Sequence, residues 1–243
     1  RIFAMLDRRT ALKTGAAAIA FTGLPALAAP AKGAAALNAL FDQFAQEQLD
    51  LSPTFATGLG LDTGKRAFQK SQIDDTSLTG IAKAKALTAS QLTRLKAFDA
   101  SSVSGMDRLN YSIVMFSLAA NDAAAKEFPY GPANPGAPYI ISQLNGNYSS
   151  TPSFLDTQHG IETKADADAY LARLSAFATA MDQEIEVARH DIGMGVVPPD
   201  FALTKTLATM TRLRAPAPEK SSLATSLARR AAEKHIAGDW NGD

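Results

Sequence analysis

From residue 34 onward, large apolar residues return every three or four positions, and proline or glycine interrupts each run. That period is the 3.6-residue turn of an α-helix, and an apolar helical stripe must be covered by another, so the chain is committed to helix-on-helix packing. Leu37, Leu40, Phe41, Phe44 and Leu51 mark a first face over Ala34 to Asp50, and Ser52-Pro53 ends it, because the residue before proline is pushed out of helical geometry. Thr88-Ala89-Ser90-Gln91 has the form of a capping box, and predicts a short helix carrying Leu92, Leu95 and Phe98. Ser104 stands where it would cap a helix with the face Leu109, Ile113, Phe116 and Ala120, ending near Phe128-Pro129. Thr163-Lys164-Ala165-Asp166 opens a long helix with Tyr170, Leu174, Phe177, Met181 and Ile185, stopped by Gly193 and Gly195. Pro198-Pro199 leads a helix through Leu203, Leu207, Met210 and Leu213, and Ser222 begins a last one with Leu223, Leu227 and Ala231, ending at Gly238. Only Tyr139-Ile140-Ile141 is a weak strand candidate. The expected class is mostly α, a multi-helix assembly.

The exception is Pro129 to Phe154, which holds five prolines, three glycines, three asparagines and three tyrosines. A connection of about 25 residues is unusual in a compact domain and is often functional. Tyr139, Gln143 and Tyr148 in this stretch, with His159 just beyond it, are the candidate substrate-binding residues, since tyrosines and amides suit a peptide or a sugar. The competing reading is irregular structure packed across the helices, with His159 at the surface or capping a helix. Thr57 to Gly64 is glycine-rich, but no Gly-Lys-Ser/Thr follows it, so it reads as a turn and not a phosphate cradle.

Catalytic chemistry is incomplete. The three histidines, His159, His190 and His235, include no pair four apart, so the zinc-protease arrangement H-E-x-x-H is absent and no metal ligands are expected on this segment. His190 and His235 sit at expected helix ends, where a cation offsets the dipole. Glu184 and Glu186 fall on different faces of one helix, which suggests a solvated surface. No Gly-x-Ser-x-Gly elbow is present. With no cysteine, disulfides and thiolate chemistry are excluded. Lys+Arg and Asp+Glu both number 24, so no net field draws the chain to nucleic acid or to an anionic membrane.

The first residues carry an address. Arg8-Arg9 precedes an uncharged apolar run from Thr14 to Leu27, and Ala26-Leu27-Ala28 has the small-x-small pattern that a signal peptidase cuts. The run of about 14 residues is short of the ~20 that span a bilayer, so residues 1–28 read as a twin-arginine signal cleaved at Ala28, with Met5 as the start. Residues 29–243 are then one helical region, expected in the periplasm or secreted, with no stable membrane span after cleavage. The route carries folded cargo, which suggests a cofactor.

Several motifs resemble the domain-of-unknown-function family 885. Leu51-Ser52-Pro53-Thr54-Phe55-Ala56-Thr57-Gly58-Leu59-Gly60 looks like its early "S-P-x-x-A-T-x-L-G" segment. Ser142-Gln143-Leu144 with Gly146, Tyr148 and Pro152-Ser153-Phe154-Leu155 resembles its middle stretch, which Asp156-Thr157-Gln158-His159 and Tyr170-Leu171 continue. Gly193-Met194-Gly195-Val196-Val197-Pro198-Pro199 is similar to its "G-x-G-x-x-x-P" turn. The resemblance implies a helical protein of ~550–600 residues related to gluzincin-type zinc metallopeptidases, with its H-E-x-x-H helix in the C-terminal half. This chain would be the N-terminal half of that larger metallopeptidase-like fold, truncated after Asp243 and inactive alone. It would form part of the helical wall of a cleft whose zinc and peptide substrate belong with the missing C-terminal half. A non-catalytic helical binding or scaffold protein is the alternative.

Overall fold

The computed structural model describes residues 32–132 and 137–240. The proposed export signal, with Arg8, Arg9 and Ala28, lies outside these residues. The described part is mostly helical: α1 (Ala34–Leu51), α2 (Pro53–Gly58), α3 (Leu78–Lys96), α4 (Gly105–Glu127), α5 (Asn147–Thr157), α6 (Lys164–Gly193), α7 (Asp200–Arg214) and α8 (Ser222–Glu233). Short 3-10 turns occupy Gly64–Ser71, Ala100–Ser102 and Pro218–Lys220. Among the described residues there is no strand, and Tyr139-Ile140-Ile141 is irregular. No described helix is long and apolar enough to cross a membrane.

Local chemistry sets several boundaries where the sequence places them. Ser52, the residue that ends α1, also caps α2, its Oγ accepting the Phe55 N–H at 3.2 Å while Pro53 fills the first helical position. Thr163 and Asp166 form the capping box of α6, and Gly195 takes a φ of 80° just past its end.

Other boundaries differ from the sequence reading. Thr88 to Gln91 is no helix start but the interior of α3, whose cap is Ser77. The upstream Ile81-Ala82-Lys83-Ala84-Lys85-Ala86-Leu87 has high helix propensity, so the helix runs through. Thr88 Oγ1 bonds back to the Ala84 carbonyl at 3.2 Å, and buried Gln91 donates to Glu47 at 3.0 Å. The long loop is also shorter than its composition suggests. Helix α5 begins at Asn147 and holds Pro152 inside it, because burial of Tyr148, Thr151, Phe154 and Leu155 along one side sustains the helix.

Two apolar clusters form. Leu37 and Phe44 of α1 pack with Leu92, Leu95 and Phe98 and with Leu118 of α4. Phe154 and Leu155 of α5 pack with Ala167 and Tyr170 of α6, Leu227 and Ala231 of α8, and Trp240. On α4 the inner residues are Tyr111, Val114, Met115 and Leu118, whereas Leu109, Ile113 and Phe116 are 51, 54 and 75% exposed. Both faces carry three-four spacing, so period alone does not choose between them. Likewise α7 buries Ala202 and Thr206 and leaves Leu207 exposed.

A polar joint centred on fully buried Arg173 ties α6 to the segments around it. Its Nε donates to the Gln72 carbonyl at 2.8 Å, Nη2 to Thr57 Oγ1 at 2.6 Å and the Gln69 carbonyl at 3.1 Å, and Nη1 to His159 Nδ1 at 2.7 Å. The guanidinium also lies 4.8 Å above the Phe154 ring. Burial lowers its pKa to about 10, against the pull of Asp62 and Asp74, so it stays a cation at neutral pH. Arg173→Lys removes the fork that reaches three segments at once, and should lose about 3 kcal/mol of unfolding free energy in urea titrations, whereas exposed Arg229→Lys stays within ~0.5 kcal/mol. A loss under ~1 kcal/mol for Arg173→Lys would show that the joint is not what holds these segments.

Candidate functional site

A cleft of about 860 Å³ that carries polar groups opens between the start of α2, the 74–76 segment, the irregular stretch before α5, and α6. Two carboxylates, Asp74 and Glu184, stand in its wall. Asp74 accepts the Thr54 N–H at 2.9 Å and the Ser52 and Thr54 hydroxyls at 2.7 Å each. Glu184 accepts the Asn147 N–H at 2.9 Å and Asn147 Nδ2 at 2.8 Å. Each carboxylate therefore sits at the positive start of a short helix, α2 or α5, and neutralises its free N–H groups. Gly146 is required at the turn into α5: its φ is 123°, and a Cβ there would stand 3.0 Å from the Tyr148 ring. Exposed Phe55 and Leu144 form apolar lips.

Glu184 is not the solvated carboxylate its sequence neighbourhood suggests, being only 2% exposed. Burial raises its carboxyl to about 7, and the Asn147 hydrogen bonds offset only part of that rise. It can hold or release a proton near neutrality, yet its oxygens are engaged by Asn147. Among the described residues no group of three or more His, Asp or Glu is placed to hold a metal ion. The described residues do not make a zinc site.

The four sequence-predicted binding residues are not brought together on the cleft. His159 is fully buried, neither a surface nor a capping residue. Its Nε2–H donates to the Asp166 carbonyl at 2.8 Å, Nδ1 accepts from Arg173, and its ring meets Tyr170 edge-on at 5.4 Å. Burial, reinforced by Arg173, Lys70 and Arg230, lowers its pKa to about 4, against the Asp166 bond, so it is neutral. Tyr148 is buried and donates its hydroxyl to the Ser142 carbonyl at 2.6 Å. The Tyr139 carbonyl accepts from Asn145 Nδ2, and Gln143 Oε1 is buried without a protein partner. Of the remaining histidines, His190 lies in the last turn of α6 beside Asp191, whose buried carboxylate accepts the Gly131 N–H at 2.9 Å.

Sequence reading misses Asp74 and Asn147, and takes Glu184 for a solvated carboxylate. A signal existed: Asp166, Arg173, Glu184 and Asp191 lie seven, eleven and seven residues apart on one helix, which places all four on the buried face of α6.

Residues 53–240 match the family model described as bacterial protein of unknown function, DUF885. The chain belongs to DUF885. No curated protein matches it. The DUF885 chain shares its fold with a crystal structure titled as the "putative lipoprotein" from Colwellia psychrerythraea, at a TM-score of 0.72 and 18% identity over 87% of this chain. It spans 37% of the length of that structure's chain.

The buried acid and base act oppositely on stability. His159 is neutral when folded down to about pH 4, while its unfolded form takes a proton near 6.5, so its contribution grows as pH rises through that window. Folded Glu184 keeps its proton up to about 7 and unfolded Glu184 loses it near 4.5, so its contribution falls across nearly the same window. Unfolding free energy of the unaltered chain should therefore be nearly level between about pH 4.5 and 6.5. In Glu184→Gln it should rise with pH there by up to about 3 kcal/mol, read from urea titrations at each pH. A level profile in the variant would contradict the opposed pair.

Proposed function

We propose that this chain supplies part of the helical wall of a peptide-binding cleft in an exported, zinc-dependent peptidase-like DUF885 protein. The observation that carries the reading is the 860 Å³ cleft, with polar wall groups and apolar lips at Phe55 and Leu144. Such a mixture suits an extended peptide, whose side chains are apolar and whose backbone is polar. Supporting it is the share of the longer Colwellia psychrerythraea chain that this one spans, 37%, which leaves room for catalytic groups elsewhere in a longer homologue. Metal ligands, the general base and the bound peptide's scissile bond would then belong to the remainder, and this chain would bind and orient.

The reading is tested on a full-length family polypeptide containing this segment, using fluorogenic peptides with and without a chelator. Turnover that disappears with chelator and returns with zinc is expected; metal-indifferent turnover would contradict the zinc mechanism, and none at all would favour a binding or scaffold role. In the same protein Phe55→Ala and Leu144→Ala should each raise KM about five-fold with kcat unchanged, because they remove contacts made equally before and during reaction. A loss confined to kcat would contradict a role in binding alone. Export is tested separately: Arg8→Lys with Arg9→Lys should retain the protein in the cytoplasm.

A further inference from the structure

One side of the cleft is built without charge. From Pro129 to Phe154 the chain has no Asp, Glu, Lys, Arg or His, and Ile140, Leu144, Asn147 and Thr151 of that stretch line the wall. The charged side chains on the rest of the wall are the carboxylates Asp74 and Glu184, and among the described residues no Lys, Arg or His lines it. Asp74 also stands in the wall of an adjoining hollow of about 470 Å³, which shares Thr76, Pro132 and Ile140 with the cleft. There Asp75 and Lys83 are both exposed and Asp50 is paired with Arg66, so the acidic bias belongs to the cleft itself.

We propose that this cleft selects peptides by charge, seating a segment with a cationic group beside Asp74 and rejecting an acidic one. The inference rests on the peptide reading of the same cleft and adds the class of substrate. An anion finds no partner here. Free N–H groups at a helix start are the backbone's usual answer to negative charge, but the starts of α2 and α5 already hold Asp74 and Glu184. A cation meets the opposite situation. A carboxylate has room for about four donors, and Asp74 takes three, of which only the Thr54 N–H falls on Oδ1. Asp74 is half-buried, so salt screens its charge less than it would at an open surface. Glu184 is 2% exposed and engaged by Asn147, which leaves Asp74 as the carboxylate that a ligand reaches. A Lys or Arg side chain and a free amino terminus offer the same charged N–H donors to Oδ1.

The test is fluorescence anisotropy of short peptides labelled at the C-terminal end, on the full-length polypeptide used above, in chelator so that none is cleaved. Acetylated peptides identical but for one central residue, Lys, Gln or Glu, isolate the side chain, and the Gln peptide with a free amino terminus isolates the terminus. The Lys peptide should bind about five-fold more tightly than its acetylated Gln counterpart, and the Glu peptide about five-fold more weakly. Both gaps should narrow as salt rises. A gain confined to the free amino terminus would support the selection and name that source of charge. Asp74→Asn should bring all four Kd values within about two-fold of one another. Because Asp74 also holds the start of α2, a second variant acts on the 85% exposed lip: Leu144→Lys should abolish the preference for a cation, whereas Leu144→Ala weakens every peptide alike. Equal binding of all four peptides, or tightest binding of the Glu peptide, would overturn the charge selection and leave the peptide cleft standing. No binding by any peptide would overturn both. A preference for a cation unchanged in Leu144→Lys, and in Asp74→Asn where that variant folds, would overturn its assignment to this cleft.

Discussion

A cation that is fully buried without a directly bonded carboxylate must be solvated by the protein, and Arg173 is solvated by groups from separate parts of the chain. Thr57 belongs to α2, Gln69 and Gln72 to the 3-10 turn and its exit, His159 to the link between α5 and α6, and Phe154 to α5. Charge compensation arrives through Thr57, whose hydroxyl accepts from Arg173 and donates to buried Asp62 at 2.8 Å. Because desolvation of a guanidinium is so unfavourable, every one of those partners must be in place together. The wall of the cleft built from α2 and α5 inherits its position from that requirement.

Around this joint, α6 works as a rail of polar anchors. Asp166 holds Lys70 at 2.5 Å and the backbone N–H groups of Glu162 and Thr163. Burial works to raise its carboxyl, but these donors prevail and hold it at about 2. Farther along, Glu184 fixes the start of α5 and Asp191 fixes Gly131. The cleft is therefore shaped less by its apolar lips than by carboxylates engaged by backbone N–H groups.

Helix identity was legible in the sequence wherever short-range chemistry decides it. Thr163 with Asp166 is a reciprocal pair three residues apart, and Ser52-Pro53 is a stop and a start in adjacent residues. The start of α3 was not legible, because Thr88 and Gln91 carry the letters of a cap while their partners are Ala84 one turn back and Glu47 on α1. On α4 two stripes of equal period compete, and only the positions of α1 and α3 decide which is inside. The site was less legible than the fold. Reading apolar periodicity passes over a charged residue on a buried face, so Arg173 goes unseen and Glu184 reads as solvated, while His159 beside the odd loop is buried and off the cleft. Asn147 was hidden in a proline-rich stretch, since its place at a helix start depends on a carboxylate 37 residues away.

The anchors on α6 also restrict how a sequence of this kind can change length. One residue inserted between Asp166 and Glu184 would turn every later side chain by about 100° and move it 1.5 Å along the axis. Glu184 would then leave Asn147, Asp191 would leave Gly131, and Gln183 and His190 would come round to the vacated N–H groups with no carboxylate to offer them. Substitution along α6 can be graded, but insertion or deletion there is all or none. A change of length is thus easier to accommodate in connections such as 59–63 and 215–221, while the register of α6 behaves as a fixed ruler for the segments hung from it.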